Sequence, residues 1–455
     1  MITVCTSQNV LLGFQLQPAT IVINDLTGKI IHIHRQHLPR DQFPSHARYI
    51  DAGSNHILPG LVDAHVHLNE PGRTDWEGFL TGTKAAVSGG VTTVVDMPLN
   101  SIPPTTTLSH LDIKRSAAQG QCFCDVAFWG GVIPGNQVHL RSLVDAGVKG
   151  FKCFLIESGV EEFPCVTEND LHASMSVLED IPSVLLFHAE LEDFEKSQDQ
   201  STQTSDPTLY ATFLESRPEK LEADAISLIT KLQATYPSLR CHIVHLSAAS
   251  ALPIIRAARV RGLKLTVETC FHYLCLQADD IPNGHPEFKC CPPIRKANNR
   301  ELVWNALRDG TIECVVSDHS PCVQELKKLD DGDIMSAWGG ISTLGLGLSL
   351  LWTEGLQRGV TIGDISNWTS WKTAEHAGLS DRKGKLEVGY DGDFLIWDPN
   401  AEFEVTAESL NFKNKVSPYV NRKLRGKVLK TFVRGFLVFD CVQGFEGIEP
   451  VGKLL

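Results

Sequence analysis

The sequence predicts an α/β protein: a (β/α)8 barrel of the TIM type, with a small β-sandwich domain built from both chain ends. Two observations lead there. Between about residues 57 and 381, eight short apolar runs alternate with segments of helical periodicity, the pattern of a parallel sheet with helices packed outside it. Before residue 57 and after 381, the β-branched, turn-punctuated texture of antiparallel strands takes over. A third observation disfavours the main rival, a doubly wound open sheet. No Gly-rich phosphate fingerprint follows the first barrel strand, so the closed barrel is preferred.

The head of the chain holds ATIVIND and KIIHIHR, two β-branched runs separated by a Leu-Thr-Gly turn, which reads as a hairpin. The eight barrel strands are LVDAHVHL, VTTVVDM, DVAFWGGV, GFKCFLI, SVLLFHAE, CHIVHLS, LKLTVETC and IECVVSD. Between them lie helical segments such as WEGFLTGTKAAVSGG, EADAISLITKLQATYP and NRELVWNALRDG, several of which run into glycine, a frequent helix terminator. The tail returns to strands with GKLEVGYDGDFLIWDP, AEFEVTA and GKVLKTFVRGFLVFD, with GYDGD as a turn. The expected division is therefore a discontinuous β-domain, 1–56 with 382–455, around a (β/α)8 barrel at 57–381.

Composition narrows the function. With 455 residues, 42% hydrophobic and 21% charged, the chain is an ordinary globular protein. A net charge of −13 argues against a nucleic-acid surface. No apolar run reaches membrane-spanning length, so no membrane partner is expected. Thirteen cysteines, an odd count with no secretory pattern ahead of them, point to reduced thiols in an intracellular, soluble protein. MITVCTSQNVLLGF has no Arg-rich amphipathic pattern and GKLL is not a peroxisomal tripeptide, which leaves cytosol, peroxisome and mitochondrion open. Cys153, Cys241, Cys270 and Cys314 lie in apolar strand-like runs, where cysteine acts as a small buried hydrophobe.

In such a barrel, chemistry sits where the strands end. His65 and His67 end the first strand, two apart and so on one face. Lys152 lies in the fourth, His188 ends the fifth, His245 the sixth and Asp318 the eighth. Taken singly, each has a plain structural explanation. A lone strand-end histidine such as His188 is ordinarily a satisfied core residue, and Asp318 could cap a helix. His242 competes with His245 but points to the other face, as His319 does relative to Asp318. Lys152 is the hardest to dismiss, because a buried lysine without a partner is costly.

One chemistry uses all six together. Burial and neighbouring cations lower a lysine pKa, and the neutral amine reacts with CO2 to give a carbamate, N6-carboxylysine. That anion can bridge two divalent metal ions held by the histidines and the aspartate. Imidazole and carboxylate ligands suit zinc first, with iron, cobalt or manganese as alternatives.

The chain resembles the cyclic-amide hydrolases of the amidohydrolase superfamily, the group of dihydroorotases, hydantoinases, dihydropyrimidinases and allantoinases. The match covers essentially the whole chain. It is closest to the allantoinases, through HLNEPGRTDWEGF, MPLNS, GFKCF, KCCPPIR, VVSDHSPC, AWGGI and KVSPY. The resemblance implies that His65, His67 and Asp318 hold the more buried metal, that His188 and His245 hold the second, and that carboxylated Lys152 bridges them. It implies hydrolysis of allantoin to allantoate by a metal-bridging hydroxide, with Asp318 as general base and proton carrier. It further offers Asn100, Ser320 and backbone groups of Cys291 and Gly339 as substrate contacts, although Asn100 reads equally well as a turn residue before Ser-Ile-Pro-Pro. Tetramers or dimers are common in the family, so a homo-oligomer is implied. A hydantoinase- or dihydropyrimidinase-type enzyme is the alternative, and a non-enzymatic relative is disfavoured because the ligand set is intact.

Two departures sharpen the substrate. Dihydroorotases carry an arginine two residues past the histidine pair to grip a carboxylate, whereas this chain has Asn69. Dihydropyrimidinases carry a tyrosine five residues past the lysine, and here that position is Glu157. Both changes point to the neutral, donor-rich ureido arm of allantoin. Arg73, Trp76 and Glu77 follow the metal motif and are expected to shape the first loop.

Overall fold

The computed structural model describes residues 1–192 and 206–455. Its strands are β1 (Ile2–Leu12), β2 (Gln15–Asn24), β3 (Lys29–His34), β4 (Arg48–Asp51), β5 (His56–Pro59), β6 (Leu61–Val66), β7 (Val91–Asp96), β8 (Asp125–Phe128), β9 (Gly130–Gly131), β10 (Phe151–Phe154), β11 (Val184–His188), β12 (Arg240–Ile243), β13 (Leu265–Cys270), β14 (Cys314–Val316), β15 (Phe394–Glu404), β16 (Lys423–Val433) and β17 (Phe436–Asp440). The fold class is the one expected from the sequence.

The barrel runs from β6 to β14. Its ladders are parallel, β6–β7–β8 on one side and β9 through β14 on the other. Every residue of β7, VTTVVD, is buried, because a barrel strand faces packed side chains within and helices without. Two seams close the ring. At the first, β8 and β9 form one barrel strand interrupted at Trp129, whose amide donates to Asp96 O at 2.9 Å and whose indole donates to Ala64 O at 2.8 Å. At the second, the His67 amide donates to His319 O at 2.8 Å, and Val66 pairs in parallel with His319. The second seam therefore lies between the first and last barrel strands, β6 and β14, at the segments that carry His65, His67 and Asp318.

Both chain ends enter one eight-stranded sheet, ordered β17-β16-β15-β5-β1-β2-β3 with β4 beside β1. Its β3 edge closes onto the segment that leads into β15: Ile30 N donates to Tyr390 O and Gly392 N to Gly28 O. The space between is filled by Cys5, Ile21, Ile23 and Ile30 from the head and Phe394, Ile396 and Phe432 from the tail. Phe394 and Phe432 stack with centroids 4.4 Å apart. A single residue, Gly60, separates β5 of this sheet from β6 of the barrel. A Cβ there would lie 2.1 Å from Thr92 Oγ1, so the crossing requires glycine. Among the described residues no helix is long and apolar enough to cross a membrane, and all the cysteines are free.

Candidate metal centre

The six strand-end residues converge at the C-terminal mouth of the barrel, and none is more than 8% exposed. His65 lies within β6 and His67 just beyond it, their ring centroids 5.4 Å apart. Lys152 sits in β10 and His188 closes β11. His245 and Asp318 lie two residues past their strands, with φ of +38° and +43°. That left-handed backbone ends the extended run and is uncommon for side chains other than glycine, a strain typical of functional positions.

Two donor groups face each other across Lys152. His65 Nε2 is 3.1 Å and His67 Nε2 3.4 Å from Asp318 Oδ1, so two nitrogens and an oxygen converge. His188 Nδ1 is 3.0 Å from His245 Nε2, two ring nitrogens directed at each other. The Lys152 amine is buried, has no hydrogen bond or ion pair among the described residues, and lies 5.1 Å over the Phe154 ring. Burial draws this amine down to about 8, against the opposing pull of the Asp318 and Glu268 carboxylates. Burial alone would lower the His65 imidazole, but Asp318 and Glu268 outweigh it and raise it to about 9. The spot between those carboxylates thus favours a cation. Burial holds His67, His188 and His245 below the usual histidine range, in the neutral form that can ligate. The residues fit a pair of divalent ions by donor type, by convergence and by local charge.

The orienting partners are buried carboxylates that the strand-end argument did not select. Glu268 Oε1 accepts from His65 Nδ1 at 2.5 Å, leaving Nε2 for a metal. Its Oε2 is 3.1 Å from His242 Nε2. Glu190 Oε2 accepts from His188 Nε2 at 2.7 Å, leaving Nδ1 free, and from Arg217 Nη1 at 2.5 Å. The signal for Glu268 was in the sequence. An acid inside LKLTVETC is as anomalous as the lysine inside GFKCFLI, and the same cost argument applies to both. His319 faces away from the centre, toward Glu77 at 3.2 Å, as expected from its alternation with Asp318.

The mouth opens into a cavity of about 300 Å3. Asn100, Cys291, Ser320 and Gly339 all line it together with the six ligand candidates. Asn100 is 3.3 Å from the Nδ1 of His67. With its amide oxygen toward the ring it would accept Nδ1–H and leave Nε2 for a metal. Glu157 lines the same wall, whereas Asn69 is buried against Pro321 O and does not reach the cavity. Arg73 pairs with Glu162 and lies 5.0 Å over Trp76, which packs edge-on against Trp338 at 4.7 Å. The first barrel loop is thereby tied to two others across the cavity.

Three other groupings of potential ligands occur among the described residues. In His242–Glu268–His376 the carboxylate is committed to two imidazoles. Cys270–His272–Asp318 shares Asp318 with the centre and contains a thiol that burial pushes well above its ordinary value. Asp125, Asp391 and Asp393 are neutralised by Lys383 and Arg434.

Comparison with known proteins agrees with this geometry. The model of the amidohydrolase family matches residues 56–438. The allantoinase of Saccharomyces cerevisiae is 46% identical over 460 residues, spanning 100% of this chain and 98% of its own length. The allantoinase of Streptomyces avermitilis is 46% identical over 440 residues, 96% of this chain and 95% of its own. Among solved structures, the L-hydantoinase (dihydropyrimidinase) of Arthrobacter aurescens superposes with a TM-score of 0.92 at 28% identity, covering 99% of each chain.

Proposed function

The chain belongs to the amidohydrolase family, and on that footing we propose that it hydrolyses the hydantoin-ring amide of allantoin to give allantoate, with two divalent ions at the barrel mouth. It is a hydrolase of cyclic-amide C–N bonds. His65, His67 and Asp318 would hold one ion and His188 and His245 the other, with Lys152 between them. Ions held there would supply an acidified water and a Lewis acid for the ring carbonyl. Nitrogen and carboxylate donors of this kind suit zinc, with iron, cobalt and manganese as alternatives.

The protein's own groups do the rest. Lys152, neutral in part near physiological pH, adds CO2 at Nζ and releases a proton, becoming N6-carboxylysine. The carbamate would replace an amine that has no hydrogen bond or ion pair among the described residues with an anion able to serve as an oxygen ligand. Asp318 is the general base. Burial alone would raise its carboxyl, but His65 and His67 hold it well below the ordinary range, so it stays ionised. It takes a proton at Oδ from the attacking water and returns it to the ring nitrogen as the C–N bond breaks. Asn100, Ser320 and the backbone at Cys291 and Gly339 orient the ring. The uncharged Asn69 supplies no grip for a carboxylate substrate, and a donor-lined pocket discriminates against substrates that leave its groups unpaired.

The observation that carries this reading is Lys152, a buried amine with no hydrogen bond or ion pair among the described residues, at the mouth where the two donor sets converge. Lys152→Ala should lower turnover by about two orders of magnitude or more and release metal. Short carboxylic acids such as acetate should restore part of both. Full activity in Lys152→Ala would remove the carbamate from the proposal.

A further inference from the structure

The two halves of the centre are anchored differently. Glu268, which holds His65, is fully buried, and its second oxygen faces the equally buried His242. Neither residue lines the cavity. Glu190, which holds His188, is just as buried, but the oxygen that receives His188 also receives Arg217 Nη1. Arg217 lies immediately after the helix Tyr210–Ser216, lines the cavity, and keeps 23% of its side chain exposed. His245, the other donor of this half, has no partner for its Nδ1 among the described residues. His65 is therefore anchored entirely inside the barrel, by Glu268 and His242. His188 is anchored through a guanidinium that solvent and any occupant of the cavity can reach.

From this asymmetry we propose that Arg217 is a positioning residue for the His188–His245 half, and that this half releases its ion first. The inference rests on the two-ion reading above. The physical link is short. A carboxylate fixes the tautomer and orientation of a ligating histidine by accepting its other N–H. Glu190 Oε2 receives both His188 Nε2–H and Arg217 Nη1–H, so the guanidinium fixes the oxygen that fixes the ring. Arg217 is held there through a charge-assisted hydrogen bond. Without it, the Glu190 carboxylate turns away from this position, and His188 loses the partner that aims Nδ1 at the ion. The His65–Glu268 anchor has no such dependence, because neither Glu268 nor His242 behind it lines the cavity.

The test is a chelator titration of the holoenzyme, with metal content and melting temperature followed together. The wild type should lose its ions in two separable steps, and the looser step should be the one absent in His188→Ala. Arg217→Met should weaken that step alone, by about 10–100-fold, and Arg217→Lys should restore part of the difference. Three results would overturn the inference: ions lost from the wild type in a single step, Arg217→Met holding both ions as tightly as wild type, or Arg217→Met weakening both steps equally. A wild-type protein that holds no ions at all would instead remove the two-ion reading itself.

Discussion

Lys152 concentrates the chemistry of the site in one side chain. Its neighbours in β10 are Phe151 and Cys153, so the strand offers its amine no local acid. Burial draws the amine from 10.5 down to about 8. The sign of the resulting pH dependence is definite: below 8 the ammonium, which has no lone pair, dominates, and above 8 the free amine that reacts with CO2 does. At a fixed concentration of dissolved CO2, reactivation of metal-stripped protein should therefore run roughly 20-fold faster at pH 8.5 than at pH 6.5, followed as activity regained over time. A rate independent of pH would argue against the amine as the CO2 acceptor. His188 and Asp318 were legible in the sequence because each is a polar residue closing an apolar run, and Lys152 because it interrupts one. Arg217 was not, since it lies past a helix in a loop and is brought to Glu190 only by the fold.

At the level of elements, all eight barrel strands were legible as apolar runs, because a strand buried on both faces leaves nothing to alternate. The break at Trp129 between β8 and β9 was not. It depends on an indole reaching Ala64 across the barrel, which periodicity along one segment does not record. The cavity walls were illegible for the same reason. Arg73 and Trp76 of the first barrel loop meet Trp338, which lines the cavity, only as a stack. An edge-on aromatic pair contributes about 0.5–1.5 kcal/mol beyond its buried area, a factor of roughly 2 to 10 in an equilibrium constant. Trp76→Ala should raise KM by about that factor while leaving bound metal unchanged, as read from steady-state kinetics and metal content of the same protein. A loss of metal would show instead that the stack supports the centre directly.

At the scale of the whole molecule, the barrel and the terminal sheet are fastened by buried charges. Lys383 reaches Asp125 at 2.6 Å, Asp393 at 2.6 Å and Asp391 at 3.0 Å. Arg434 completes the cluster on Asp125, which begins β8. The shared strand texture of head and tail was visible in the sequence. This cluster was not, because Lys383 and Asp125 lie 258 residues apart. Removing one member of a buried ion cluster leaves uncompensated charge and typically costs about 3–5 kcal/mol. Lys383→Met should lose that much in urea denaturation, with kcat/KM of the folded fraction close to wild type. A loss below about 1 kcal/mol would mean that the cluster does not fasten the two parts. The fold and the donor set together lead to one enzyme, and a single preparation can be asked for all of it. Metal content and turnover of allantoin, dihydroorotate, dihydrouracil and plain hydantoin should be measured on the same sample. About two equivalents of divalent metal per chain, with allantoin turned over fastest, is the expected result. Activity without metal, or faster turnover of any of the other three rings, would contradict it.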